Sequence, residues 1–127
     1  MRPTITIVAV LLVLELGGFY WQYRDIVLLN RPAEALAADE EFPELARAAL
    51  GRRQISRRTL ERVALVAGQR REGDLRVQAL ERIVASAPED PHVRLRLAEA
   101  LRDAGRLDEA ERMYRQELGL GDAGGAR

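Results

Sequence analysis

The run Thr4-Ile5-Thr6-Ile7-Val8-Ala9-Val10-Leu11-Leu12-Val13-Leu14 restricts this chain more than any other segment. From Pro3 to Gln22 there are twenty residues and a single charge, Glu15. At about 1.5 Å per residue such a helix is about 30 Å long, one hydrocarbon thickness of a bilayer. Phe19, Tyr20, Trp21 and Tyr23 follow, where an aromatic belt would meet the headgroups. Pro3 suits a first helical turn, where its missing N–H would have no partner.

Three readings compete for this span. A cleaved signal peptide has an apolar core of this length, but only Arg2 precedes it, and the small pair Gly17-Gly18 follows bulky Leu16. A buried helix of a soluble protein would need no more apolar residues than these. An uncleaved single-pass anchor over residues 1–23 fits best. Glu15 is costly at membrane depth unless it snorkels, is protonated, or meets a partner. With Gly17 and Gly18 beside it, a helix–helix contact with a membrane partner is one use for it, because small residues admit a second backbone. Arg2 on one side and Arg24 and Arg31 on the other leave orientation nearly tied. A chain without Cys is compatible with the periplasmic face of a bacterial inner membrane, and the expectation leans weakly that way.

Composition removes whole classes of chemistry. All twenty basic residues are Arg, against twenty acids, and there is no Cys, one His and two Ser. Lysine chemistry, thiol nucleophiles, disulfides and Cys-zinc sites are excluded, and no cofactor or metal is expected. Pairs such as Glu109 and Glu111 lie on different helical faces and form no acid–base pair.

Beyond Tyr23 the apolar spacing is helical, which predicts an all-α chain. Asn30 and Pro32 open a short segment to about Ala38, and Pro43 starts another that reaches Leu50, with Gly51 as a left-handed stop. Ser56 is an N-cap, with Ile55 and Leu60 as a hydrophobic staple. Leu60, Val63, Ala64 and Ala67 then mark one inner face. Asp74 is expected to cap a helix with Leu75, Ala79, Leu80, Ile83 and Val84 inward. Asp90-Pro91 starts a third with Leu97, Ala98 and Leu101 inward. A last helix, from about Asp108 to Leu118, carries Ala110, Met113 and Tyr114. Residues 24–55 read as a juxtamembrane linker with short capping helices, 56–118 as the repeat region, and 119–127 as a flexible tail.

Self-comparison pairs Leu65 with Leu97, Gly73 with Gly105 and Leu75 with Leu107 at 32 residues, and Ala79 with Ala110 and Ile83 with Tyr114 at 31. Leu97, Ala98, Leu101, Gly105, Leu107, Ala110 and Tyr114, with Pro88 nine residues ahead of Leu97, resemble a tetratricopeptide repeat (TPR). Arg94 and Glu117 depart from its pattern, standing where an aromatic and a small residue are usual. The unit from Arg57 to Pro88 is degenerate, its Gly73 falling two residues late, and the 31–32 period is short of the family's 34. The resemblance implies stacked helical hairpins behind the anchor and a concave face that binds peptides of partner proteins. On the better repeat that face would be His92, Leu95, Glu99, Arg102 and Asp103.

Net charge zero conceals an uneven distribution. Residues 24–45 hold two Arg and six acids, 46–82 ten Arg and four acids, and 83–127 seven Arg and nine acids. The central stretch includes Arg52, Arg53, Arg57, Arg58, Arg62, Arg70 and Arg71. It reads either as a solvated surface partly paired with Glu61, Glu72 and Glu81, or as a dock for an acidic peptide or anionic headgroups. Nucleic acid is not expected, since no aromatic lies between Phe42 and Tyr114 to stack on bases. Two repeats are few for independent stability, so stacking on a partner or on a second copy would complete the array. The expectation is a non-catalytic, membrane-anchored scaffold or accessory subunit of a bacterial envelope complex. The alternative is a secreted or periplasmic adaptor released by cleavage after Gly18.

Overall fold

A computed structural model describes residues 2–119; the expected tail from 120 to 127 lies outside the described residues. All regular structure among them is helical: α1 (Pro3–Leu29), α2 (Ala33–Ala37), α3 (Phe42–Leu50), α4 (Arg57–Gln69), α5 (Gly73–Ser86), α6 (Pro91–Asp103) and α7 (Leu107–Glu117). Consecutive helices from α4 to α7 pack side by side as two hairpins, and α3 packs on both α1 and α5.

The starts of these helices follow local rules. The Ser56 hydroxyl accepts from the Thr59 backbone N–H at 3.2 Å, and Asp90 Oδ1 accepts from the His92 N–H at 3.0 Å. Each satisfies an orphan donor of the first turn. The α5 start differs from expectation. The helix begins at Gly73, its flanking Glu72 makes no side-chain cap, and Asp74 sits inside the first turn, where a carboxylate suits the helix dipole. The α3 stop also differs, because Gly51 is right-handed, at φ −73°.

The turn between α4 and α5 corrects the period. Arg71, the one non-glycine at positive φ among the described residues, stands at +58°, and Gly105 in the α6–α7 turn stands at +81°. Both turns close with the same pair of bonds. The Glu72 N–H donates to Ala67 O at 2.9 Å and the Arg106 N–H to Leu101 O at 2.8 Å. Each left-handed residue donates to the carbonyl three positions back, Arg71 to Gly68 and Gly105 to Arg102. Arg71 and Gly105 are 34 apart, as are the starts of α4 and α6 (57 and 91) and of α5 and α7 (73 and 107). The 31–32 pairings are therefore not structural equivalents: Leu65 is 54% exposed, whereas Leu97 is 6% exposed. Gly73 is not the turn glycine. A Cβ there would stand 3.2 Å from Ala104 Cβ, so its smallness serves the close approach of α5 to the end of α6.

The core is the face that the spacing marked. Leu60, Val63, Ala64 and Ala67 on α4, Leu75, Ala79, Leu80 and Ile83 on α5, and Leu97, Ala98 and Leu101 on α6 are buried, while Val84 is half-buried. Val66 on α4, Val77 on α5, and Val93 and Ala100 on α6 are buried as well. Val77 falls outside the single stripe because α5 has neighbours on several sides, α3, α4 and α6. On α7 only Ala110 is fully buried; Met113 and Tyr114 are half-buried.

Carrying the 34-residue offset upstream explains residues 23–52. Leu29, Val63 and Leu97 are equivalent and all buried; Ala49 and Ile83 are equivalent and both buried. The end of α1 together with α2 thus stands where α4 and α6 stand, broken at Asn30–Pro32, and α3 stands where α5 and α7 stand. Helix α1 continues beyond residue 23. It kinks at Tyr23 (φ −115°, ψ 15°) and continues to Leu29, with Asp25 and Leu29 buried in the helical stack. Residues 2–23 are exposed throughout.

Candidate partner-binding groove

The outward face of α4 forms the floor of a cleft of about 810 Å³. Its walls come from α2 (Ala33, Glu34), from Arg76 and Leu80 of α5, and from Arg96 of α6. Leu65 stands in it half-exposed. Four arginines (58, 62, 76 and 96) line the same cleft, against Glu34 and Glu61, so its lining is net positive.

The fixed members of this rim are held by geometry. Glu61 accepts two bonds from Arg96, at 2.8 and 3.1 Å, and Arg57 stands 3.6 Å away. The Arg96 bonds and the nearby Arg57 charge hold the Glu61 carboxyl below the usual range, against the opposing effect of burial. Arg62 donates to the Arg31 carbonyl, and Arg76 reaches Asp103 at 3.1 Å. Arg58 makes no ion pair among the described residues and is exposed at the cleft. It is the rim cation freest to receive a carboxylate.

The five residues expected to form a groove, His92, Leu95, Glu99, Arg102 and Asp103, are exposed together on α6, but none lines the cleft. Asp103 borders it by accepting from Arg76. Their equivalents 34 residues earlier, Arg58, Glu61, Leu65, Gly68 and Gln69, all line it. The cleft is therefore lined by the residues one repeat upstream of the expected five. The correct offset would have found it; matching Gly73 with Gly105 concealed it.

The central arginines do not form one patch. Arg52 pairs with Asp25, and Arg70 bonds Glu72 at 2.9 Å and the carbonyls of Ala37 and Asp39 at 2.9 and 2.8 Å. Arg57 stands near Glu61 and Asp90, while Arg53 and Arg71 are exposed. Of the seven, Arg58 and Arg62 share the cleft. Glu15, Gly17 and Gly18 lie exposed on α1, and a Cβ added at either glycine would meet nothing within 4 Å.

Residues 77–116 match the family model described as tetratricopeptide repeat. This stretch is a tetratricopeptide repeat. It covers most of α5, all of α6 and all but the last residue of α7. No curated protein and no solved structure matches the chain. Repeats of this kind serve as protein–protein interaction scaffolds and are typically not catalytic. Helix α1 is long and apolar enough to cross a membrane, by length and composition.

Proposed function

We propose that the protein is a non-catalytic scaffold, anchored by α1 in a bacterial inner membrane, that holds a partner protein in the α4 cleft as an assembly or accessory subunit of an envelope complex. The cleft carries this reading: a half-exposed Leu65 that shares it with four arginines suits a peptide that offers one apolar side chain between carboxylates. Glu15, Gly17 and Gly18 would serve a second contact inside the membrane, and Glu15→Leu should reduce recovery of a membrane partner if they do.

The test is a photocrosslinking residue at Leu65, compared with one at Gln116 on α7, in membranes carrying the full chain. Discrete crosslinked proteins are expected from Leu65, diminished by Arg58→Glu. Crosslinks from Gln116 but not from Leu65 would overturn the groove assignment.

One observation keeps a second reading alive. The buried part of α1 begins at Asp25, so cleavage after Gly18 would leave the helical stack whole. An intact mass from the membrane fraction, with resistance to carbonate extraction, separates the two: loss of residues 1–18 makes the protein a released adaptor.

A further inference from the structure

A second cleft, of about 620 Å³, lies where α1 leaves the apolar span and meets α3. It has no counterpart in the partner groove, and its position is set by the anchor. If Pro3–Gln22 fills the hydrocarbon, the mouth between Trp21 and Arg24 stands at headgroup depth. Trp21 is 74% exposed on its wall.

The charges in this cleft balance. Arg24, Arg47 and Arg52 face Asp25, Glu41 and Glu44. Two of the pairs are closed: Arg24 reaches Glu41 at 2.7 Å, and Arg52 Nε reaches Asp25 at 2.7 Å. Arg47 and Glu44 remain. Both are exposed, both line the cleft, and neither makes an ion pair among the described residues. They lie three residues apart on α3, neighbours on one helix face.

The geometry points to a zwitterionic headgroup site, with the phosphate of phosphatidylethanolamine on Arg47 and its ammonium on Glu44. Two methylenes separate those groups in the lipid, a spacing that suits a cation and an anion one helical turn apart. The ammonium has N–H donors for the Glu44 carboxylate, which the quaternary nitrogen of phosphatidylcholine lacks. A purely anionic headgroup such as phosphatidylglycerol would leave Glu44 facing like charge. This inference rests on the membrane-anchored reading.

Trp21 is the single tryptophan of the chain, so its fluorescence reports this cleft alone. The full chain is placed in phosphatidylcholine nanodiscs doped with increasing phosphatidylethanolamine or with phosphatidylglycerol. A saturable change in Trp21 emission is expected with phosphatidylethanolamine only, and that lipid should co-purify in native mass spectra. Arg47→Gln and Glu44→Gln should each weaken the response about tenfold, the loss of one charge-assisted bond. Arg112→Gln on α7 should leave it unchanged, and circular dichroism verifies that each variant stays folded. An equal response to phosphatidylglycerol, no saturation, or a response that survives both substitutions overturns the site. A chain that inserts but shows no preference sinks this inference alone. A chain that fails to enter the discs sinks the anchored reading with it.

Discussion

Removing Arg52 should loosen the joint between α1 and the helical stack. Asp25 is 7% exposed, and Arg52 grips both its carboxylate oxygens, one at 2.7 Å. The same guanidinium donates to the Gln22 carbonyl and lies 5.2 Å from the Tyr23 ring centroid, beside the kink. The Arg52 carbonyl in turn accepts from Arg82 of α5 at 3.0 Å. Breaking a fully buried ion pair by deleting one partner costs about 3–5 kcal/mol. The Arg52 side chain keeps 24% exposure, which places the cost nearer the strength of charge-assisted bonds, about 2–3 kcal/mol. Arg52→Ala should cost more than Asp25→Ala, because the stranded carboxylate is the deeper group, while a stranded Arg52 can turn to solvent or rest on Tyr23. For a stack of about 100 residues, 2 kcal/mol lowers the midpoint by about 8–16 °C. Thermal and urea melts of the full chain in micelles, with both single variants and the double variant, give the coupling energy. About 1.5 kcal/mol or more is expected. A coupling under about 0.5 kcal/mol, the level of an exposed surface pair, would refute the argument that this pair fixes α1 to the stack.

The two left-handed turns give opposed predictions. Arg71→Gly should stabilise by about 0.5–1 kcal/mol, since the relief of a side chain at positive φ exceeds glycine's entropy cost. Gly105→Ala should destabilise by about 1 kcal/mol through backbone strain alone, because its new Cβ would meet nothing within 4 Å. Melts in which both substitutions shift the midpoint the same way would contradict the turn assignment. The acid limb follows from Glu61, whose folded pKa is depressed below 4.5 by Arg96. A depressed carboxyl contributes stability above its unfolded pKa and loses it as pH falls through the folded value. Midpoints should therefore hold down to about pH 5 and decline below about pH 4.5, and Glu61→Gln should shorten that decline. Equal acid limbs in the two proteins would count against the Arg96 pairing.

The fold was readable where side chains act locally. Ser56 and Asp90 cap the helices they were expected to cap, and periodicity marked much of the inner faces of α4, α5 and α6 but missed Val66, Val77, Val93 and Ala100. What escaped was backbone conformation without its usual residue. Nothing in the composition of Gln69-Arg70-Arg71-Glu72 says that Arg71 is left-handed, so Gly73 drew the alignment two residues off. That slip hid the cleft, because Arg58, Glu61 and Leu65 are recognisable only as the 34-residue equivalents of His92, Leu95 and Glu99. It also hid the upstream hairpin. Equivalence across Asn30–Pro32 is carried by buried positions such as Leu29 rather than by shared residues.

The arginine content acquires a structural meaning from these partners. Arg62 donates to the Arg31 carbonyl, Arg70 to those of Ala37 and Asp39, and Arg82 to those of Leu50 and Arg52. Each acceptor lies at or just past a helix end, where carbonyls have no helical partner, and each donor sits about one repeat further along the chain. A positive group there also opposes the negative end of the helix dipole. Arg82 holds two carbonyls with the two arms of its planar fork, Nη1 on Leu50 and Nη2 on Arg52. Arg70 holds two through Nη1 while its Nε reaches Glu72. Such a fork suits several fixed acceptors better than the single point charge of an ammonium. Joining successive units through unmatched carbonyls places no demand on the acceptor side chains. That explains how Asn30–Pro32 can interrupt the first unit without separating it from the next: the break exposes the Arg31 carbonyl, and Arg62 of α4 occupies it. The arginines counted as a possible patch are thus divided by geometry, some binding one repeat to the next, and Arg58 left open to a partner.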